Sequence, residues 1–417
     1  MAPPSNRSET QSLSQTHPNA RPLTSLQSLA ALFLKLGCLG FGGPQAHIAM
    51  MNDEVVARRG WLTQDQLTDG LAVCEMLPGP ASTQLGIYIG YARAGWIGAL
   101  VSGIAFITPA FLIVVALAWV YFRFAQLPQL GALFFGLQPV MVAIILGFCW
   151  KLGKKAIKDG VGVAIALVMF VLSLTTSIST LLLFMGFGLV GLTVYGRQPT
   201  SGIGLGLLLA QAPAPTPGEV LARASFWGTE RFSQYLGPLF LYFLKTGTSI
   251  FGGGLVIIPL LEFEVVEKLH WLTRSEFIDG VAIGQLSPGP VVLTSAFVGY
   301  KVAGVVGALV AAVGMFTPSF LFIMLAAPLL LRLRENDQIK AFLRGIKPAV
   351  LGAIVAAAIP LSETAFGRGT VPLSGLAVGV GVTALVAIVR FRVTAWKLIL
   401  AGAVIGLVGY PLLGGAV

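Results

Sequence analysis

Charge is scarce in this chain. Only 11% of its 417 residues are Asp, Glu, Lys or Arg, against about 25% in an ordinary soluble chain. With 56% hydrophobic side chains, most of the surface cannot face water, and the ordinary soluble folds are excluded. Cysteine is nearly missing. Cys38, Cys74 and Cys149 lie far apart in apolar sequence without a CxxC pair, so neither a disulfide framework nor a zinc site can be built, and buried thiols are expected. The three histidines, His17, His47 and His270, form no HExxH or HxxxH pair. No metal centre and no cofactor is therefore expected. A GxxxxGK[ST] loop is also missing, so an ATP-driven pump would need a partner subunit. No nucleophile, base and basic cluster converge in the sequence, which leaves no catalytic residues to name. The net charge of +10 comes in short clusters between apolar runs. That is the positive-inside pattern of membrane proteins, not a nucleic-acid surface.

What is present is a series of apolar runs. At about 20 residues per crossing, they make an all-α polytopic membrane protein in contact with lipid. Residues 1–24 are polar, rich in Ser, Gln, Pro and Asn, and read as a disordered cytoplasmic tail without the marks of a signal peptide. Six apolar segments follow, near 25–46, 78–94, 96–122, 131–150, 160–177 and 179–196. A Pro/Ala/Thr-rich linker over 198–230 separates the first half (25–197) from the second (231–417). The second half also has six segments, near 236–258, 285–300, 303–331, 341–360, 371–389 and 395–413.

The halves repeat each other. FLKLGCLGFGGP (Phe33–Pro44) matches FLKTGTSIFGGG (Phe243–Gly254) at an offset of 210, and 20 of 48 positions are identical between Phe33 and Pro80. The same offset pairs Glu54-Val55-Val56 with Glu264-Val265-Val266, Trp61-Leu62-Thr63 with Trp271-Leu272-Thr273, Asp69-Gly70 with Asp279-Gly280, and Pro78-Gly79-Pro80 with Pro288-Gly289-Pro290. One deletion later the offset is 209, joining Gly90-Tyr91 to Gly299-Tyr300, Thr108-Pro109 to Thr317-Pro318, and Pro139 to Pro348. Chance does not produce this, and duplication is the common architecture of secondary transporters.

Basic residues follow the fourth segment of the first half (Lys151, Lys154, Lys155, Lys158) but precede or open the matching segment of the second (Arg332, Arg334, Lys340, Arg344, Lys347). Equivalent helices thus cross in opposite senses, as an inverted repeat. Six crossings per half would start both halves on one side. Inversion therefore demands an odd crossing, either in the linker (Ile203–Ala210 is apolar) or through a segment that re-enters, for about 12–13 membrane segments.

Gly42-Gly43-Pro44 and Gly252-Gly253-Gly254 interrupt apolar helices, and each PGP reads as irregular backbone before a helix start. Such breaks free backbone N–H groups at positive helix ends, and ends meeting near the midplane would hold an anion. The candidate binding set is Lys35, Gly42, Gly43, Pro78, Gly79, Pro80, Ser82 and Thr83, with Lys245, Gly252, Gly253, Gly254, Pro288, Gly289, Pro290 and Thr294. The lysines either attract the anion, or snorkel to an interface or pair with a carboxylate such as Glu54 and Glu264. The Ser and Thr hydroxyls either donate to it or bond back to their own helix. Asp69, Asp279 and Glu75, whose counterpart is the neutral Gln285, are candidates for proton coupling. Trp61 and Trp271 look like interfacial anchors.

The doubled FGG…EVV…WLT…DG…PGP pattern, with GY and TP downstream, resembles the CHR family of chromate ion transporters in its long, two-domain bacterial type. The resemblance covers about Leu29 to Tyr410. It implies a non-enzymatic secondary transporter that exports chromate, with sulfate as a competing analogue, from the cytoplasm across the bacterial inner membrane. It further implies that the proton gradient drives export and that export confers chromate resistance. Alternatives are transport of sulfate or another oxyanion, or an intramembrane enzyme acting on a lipid phosphate. A homodimer is left open.

Overall fold

The computed structural model describes residues 25–196, 227, 232–251, 253–326, 336–367 and 371–413. The tail, nearly all of the linker, the apolar stretch Ile203–Ala210 and Gly252 lie outside them. Helices make up the fold, and no strand occurs among the described residues.

The opening helix α1 (Leu26–Leu39) is capped by the Ser25 hydroxyl, which accepts from the Ser28 amide. It stops at Gly40, and α2 (Pro44–Asn52) begins on a proline and runs into a π-helical turn over Asp53–Arg58. Lys35 and Glu54 are in contact although 19 residues apart. A continuous rod at 1.5 Å per residue would separate them by more than 20 Å, so the chain doubles back: α1 and α2 are the legs of a hairpin. A second hairpin follows. Helix α3 (Gln64–Cys74) opens with a reciprocal capping box between Thr63 and Gln66, and the tip over residues 75–80 contains the PGP. The first part of α4 (Ala81–Arg123) then returns, with Tyr88 packed on Gly70 and its hydroxyl bonded to the Gln66 carbonyl.

Helix α4 is not one rod. At Ala94 and Gly95 (φ 61°) the chain folds back on itself. Beyond the bend Gly98 lies against Gly90, and the Ser102 hydroxyl donates to the Gly86 carbonyl at 2.9 Å. Contacts 86/102 and 90/98 are antiparallel, so only the stretch after the bend spans. Helices α5 (Pro128–Ala156), α6 (Gly160–Thr175) and α7 (Thr180–Tyr195) complete the half. Of the first half's helices, α4 and α5 are long and apolar enough to cross a membrane, while α6 and α7 are shorter apolar helices.

The second half repeats this plan. Helix α8 (Phe232–Gly247) pairs with α9 (Ile257–Leu261) and its π turn Glu262–Lys268. Helix α10 (Arg274–Leu286) repeats the capping box with Thr273 and Glu276. Helix α11 (Thr294–Ala326) folds back at Ala303 and Gly304 (φ 60°), and α12 (Asp337–Phe366), α13 (Val371–Phe391) and α14 (Ala395–Leu412) follow.

The equivalent spanning legs of α4 and α11 pack together in opposite directions. Gly103 lies on Phe320, while Phe122, near the end of α4, stacks on Tyr300 beside the start of the other leg. The repeat is inverted. The halves are also intertwined. Helices α13 and α14 of the second half pack on α5, where Gly136 meets Gly402 and Gly406. Reciprocally, α6 and α7 pack on α12, where Gly191 meets Gly345. Small residues permit this close approach within lipid. On one face Asp159 accepts from Arg344 at 2.7 Å and from Tyr195 at 2.8 Å, which places the end of the first half beside the start of α12. The stretch in which the sequence offers the odd crossing lies outside the described residues.

Large apolar side chains such as Leu167 and Val171 on α6, Val382 on α13 and Val404 on α14 point outward. An outer shell of this kind suits hydrocarbon, and the chain is a multi-pass membrane protein.

Candidate functional site

Each PGP turn meets a hairpin tip of the other half. The Gly79 amide of the first PGP donates to the Ile250 carbonyl, at the tip of the second half's α8–α9 hairpin, at 2.7 Å. In the reciprocal pair, Gly40 of the α1–α2 tip lies so close to the Pro288 carbonyl of the second PGP that a Cβ there would overlap it. Each first hairpin thus touches the second hairpin of the other half. Pro80 and Pro290 cap the returning legs as the sequence predicts, and the structure buries Gly79, Pro80, Pro288, Gly289 and Pro290. Pro78, just before them, is half-buried and its carbonyl accepts from the Gln84 amide at 2.7 Å.

Other expected members stand apart. Gly42 (φ 119°) and Gly43 (φ 79°) shape the first tip through left-handed backbone, but Gly42 is exposed. Gly253 (φ 134°) sits near the Phe148 ring and Gly254 is buried against Val291. Lys35 Nζ lies 2.6 Å from Glu54 Oε1, with Arg58 and Arg59 on the same carboxylate. Lys245 Nζ lies 3.4 Å from Glu264 Oε1, where the Ser179 hydroxyl also donates. Carboxylates therefore neutralise both lysines, the alternative that the sequence held open.

The hydroxyls divide between the two expectations. Thr294 bonds back to the Val291 carbonyl at 3.0 Å, whereas the fully buried Thr83 hydroxyl has no protein partner. Ser82 faces His47 Nδ1 at 3.3 Å, and His47 Nε2 donates to the Gly40 carbonyl at 2.6 Å. His47 is not among the binding residues expected from the sequence. Its only mark in the sequence is that the repeat places Ile257 opposite it.

The three acidic candidates differ sharply. Glu75 is exposed and Asp69 half-buried. Asp279 is 3% exposed, and accepts from the Tyr121 hydroxyl at 2.8 Å and the Gln138 amide at 2.7 Å, both from the first half. Two further expectations are corrected. Trp271 is buried against Tyr242 and is no interfacial anchor, because α10 and its hairpin are packed into the bundle. Cys38 is exposed, since it lies on the outer side of a hairpin leg and not inside a spanning helix.

Chemically, this junction offers amides, hydroxyls and positive helix ends without a strong fixed charge. Such a set can hold an anion and release it. No group of three or more metal-ligating side chains occurs among the described residues.

The chain matches the Chromate transporter family over residues 27–192 and 237–407, once per half. It is 36% identical over 394 residues to the "Chromate transport protein" of Cupriavidus metallidurans, covering 94% of this chain and 95% of that one. It is 35% identical over 354 residues to the "Probable chromate transport protein" of Synechococcus elongatus, covering 83% and 86%. A "Chromate transport protein" of Pseudomonas aeruginosa is 30% identical over 352 residues, covering 82% of each chain. No solved structure matches. With relatives named as transporters along nearly its whole length and a family match in each half, the chain belongs to the chromate transporter family.

Proposed function

We propose that this protein is a secondary transporter that exports chromate, a tetrahedral dianion, across the bacterial inner membrane and so confers chromate resistance. The observation that carries the reading is the meeting of hairpin tips across the inverted repeat, marked by the Gly79–Ile250 bond. It sets a broken helix of one half against a broken helix of the other, the kind of repeat interface at which transporters place substrate sites.

The two halves are caught in different states, which supports alternating access. Helix α10 packs against α5, α12 and α14, whereas its counterpart α3 packs chiefly on its own hairpin partner. Residues of the first-half hairpins form a core of their own around Phe33, Leu85 and Phe106, while those of the second half are merged with the central bundle. By the positive-inside rule, Lys151, Lys154 and Lys155 mark the end of α5 as cytoplasmic. Asp279 is the best-placed carboxylate for proton coupling, because its bonds tie the docked hairpin to the other half.

Chromate uptake into everted membrane vesicles, with and without an imposed proton gradient, tests the reading. Gradient-driven uptake is expected. No uptake by vesicles that contain folded protein would remove chromate as substrate, and uptake indifferent to the gradient would remove the coupling.

A further inference from the structure

The two junctions of the inverted repeat are held by different chemistry. At the first, the Gly79 amide donates to the Ile250 carbonyl at 2.7 Å, backbone to backbone. The repeat carries Gly79 to Gly289 and Ile250 to Gly40, so symmetry calls for the Gly289 amide on the Gly40 carbonyl. Among the described residues no such bond forms. Gly40 is buried, and its carbonyl accepts instead from His47 Nε2 at 2.6 Å. A carbonyl has no hydrogen to give, so this bond fixes the tautomer of the neutral ring. The proton is on Nε2, and Nδ1 accepts from the Ser82 hydroxyl at 3.3 Å.

The ring is tightly held at the junction. His47 is 2% exposed and meets the Phe106 ring edge-on, at 5.2 Å between centroids. Its Nε2 and Cδ2, together with the Pro288 carbonyl of the other half, crowd the spot where a Gly40 Cβ would stand. The second half has nothing equivalent. Ile257 occupies the repeat position of His47, and a valine occupies that of Ser82 whether the offset is 210 or 209. Neither side chain can form a hydrogen bond, and the Ile250 carbonyl of that half goes to the glycine amide.

We propose that His47 is a positioning residue of the transport cycle, a latch that keeps the Gly40 carbonyl from the Gly289 amide in the present state. The proposal rests on the alternating-access reading and adds the residue that times it. When the halves trade roles, the second junction becomes what the first is now. Gly40 then passes from His47 to the Gly289 amide, one donor replacing another, so its buried carbonyl has a partner in both states. Ile250 has no such substitute once its own bond opens, since Ile257 donates nothing. The latch therefore favours the present state.

The test follows the exchanged state through Asp69 and Lys347, the repeat counterparts of the Asp279–Gln138 contact. Asp69→Cys and Lys347→Cys are combined in protein whose three native cysteines have been replaced, and disulfide formation in vesicles is timed without chromate. Adding His47→Ile, the residue that the other half carries, strips the Gly40 carbonyl of its donor in the present state only. Cross-linking should then run about tenfold faster. His47→Gln, whose side-chain amide reaches about as far as Nε2, should restore the native rate. Ser82→Ala frees the ring to take the other tautomer and should give a smaller acceleration; it serves if His47→Ile fails to accumulate. A residue needed only for packing would not speed the exchange, and an amide would not rescue it. Equal rates in every background that accumulates, zero included, overturn the latch, and so does a His47→Gln rate as high as that of His47→Ile. Failure of the unsubstituted protein to take up chromate would instead overturn the functional reading and leave these rates unaffected.

Discussion

Asp279 and Asp69 occupy one position of the duplicated sequence and have opposite surroundings. Asp279 is buried among donors from the other half, and Asp69 stays half-buried on an undocked hairpin. Removing the ionisable group while keeping its shape, with Asp279→Asn, should leave protein in the membrane but make vesicle uptake indifferent to the proton gradient. Retention of full gradient dependence would shift the coupling role to another group. The lysines make a second residue-level prediction. Lys245 is 19% exposed and Lys35 47% exposed in their side chains. Removing a partner from the more buried pair strands a carboxylate. Lys245→Gln should therefore cut membrane abundance several-fold and Lys35→Gln much less, with Glu264→Gln restoring Lys245→Gln. Western quantification of membranes checks the order. Equal losses, or no rescue, would contradict it.

At the scale of elements, the duplicated letters made much of the structure readable. WLT followed by Gln66 or Glu276 announced both capping boxes, and each PGP announced a helix start. The outer legs α3 and α10 stayed hidden, because each carries several polar residues among its 11 and 13 and apolar counting passes over them. The fold-backs at Gly95 and Gly304 were half legible: the apolar segments break there, at 94/96 and 300/303, beside Arg93 and Lys301, but only the positive φ shows that the chain reverses. At the junction, glycine and proline marked the tips, but nothing local marked His47, Gln138 or Tyr121. The usable signal was a difference in polarity between aligned positions, His47 against Ile257 and Gln138 against Lys347. Another element-level prediction concerns Asp159, the cap of α6. Its carboxyl is held below the ordinary range first by the Gly162 amide, then by the Tyr195 hydroxyl and Arg344. A depressed carboxylate stabilises above its unfolded pKa, about 3.9, and this contribution fades as pH falls through the lowered value. Asp159→Asn should lower the melting temperature of detergent-solubilised protein at pH 7 and flatten its decline toward pH 3. An unaltered melting profile would show that the cap contributes nothing measurable.

At the scale of the whole molecule, inverted repeats let one structure specify its opposite state. Exchanging the roles of the halves docks the first-half hairpins on α12 and frees those of the second half. In the present state Asp279 is held by Gln138 of α5. The repeat counterparts are Asp69 and Lys347, so the exchanged state should join a carboxylate to an ammonium. That pair would be stronger than the amide contact it mirrors, because both partners are charged.

The most direct measurement of this exchange is disulfide trapping of Asp69→Cys with Lys347→Cys, in protein whose Cys38, Cys74 and Cys149 have been replaced, carried out in vesicles with and without chromate. The two positions should cross-link, faster when chromate and a proton gradient drive turnover, and the cross-linked protein should no longer transport. If transport continues in that background while the pair never cross-links under any condition, the hairpins do not trade places and the alternating-access account fails.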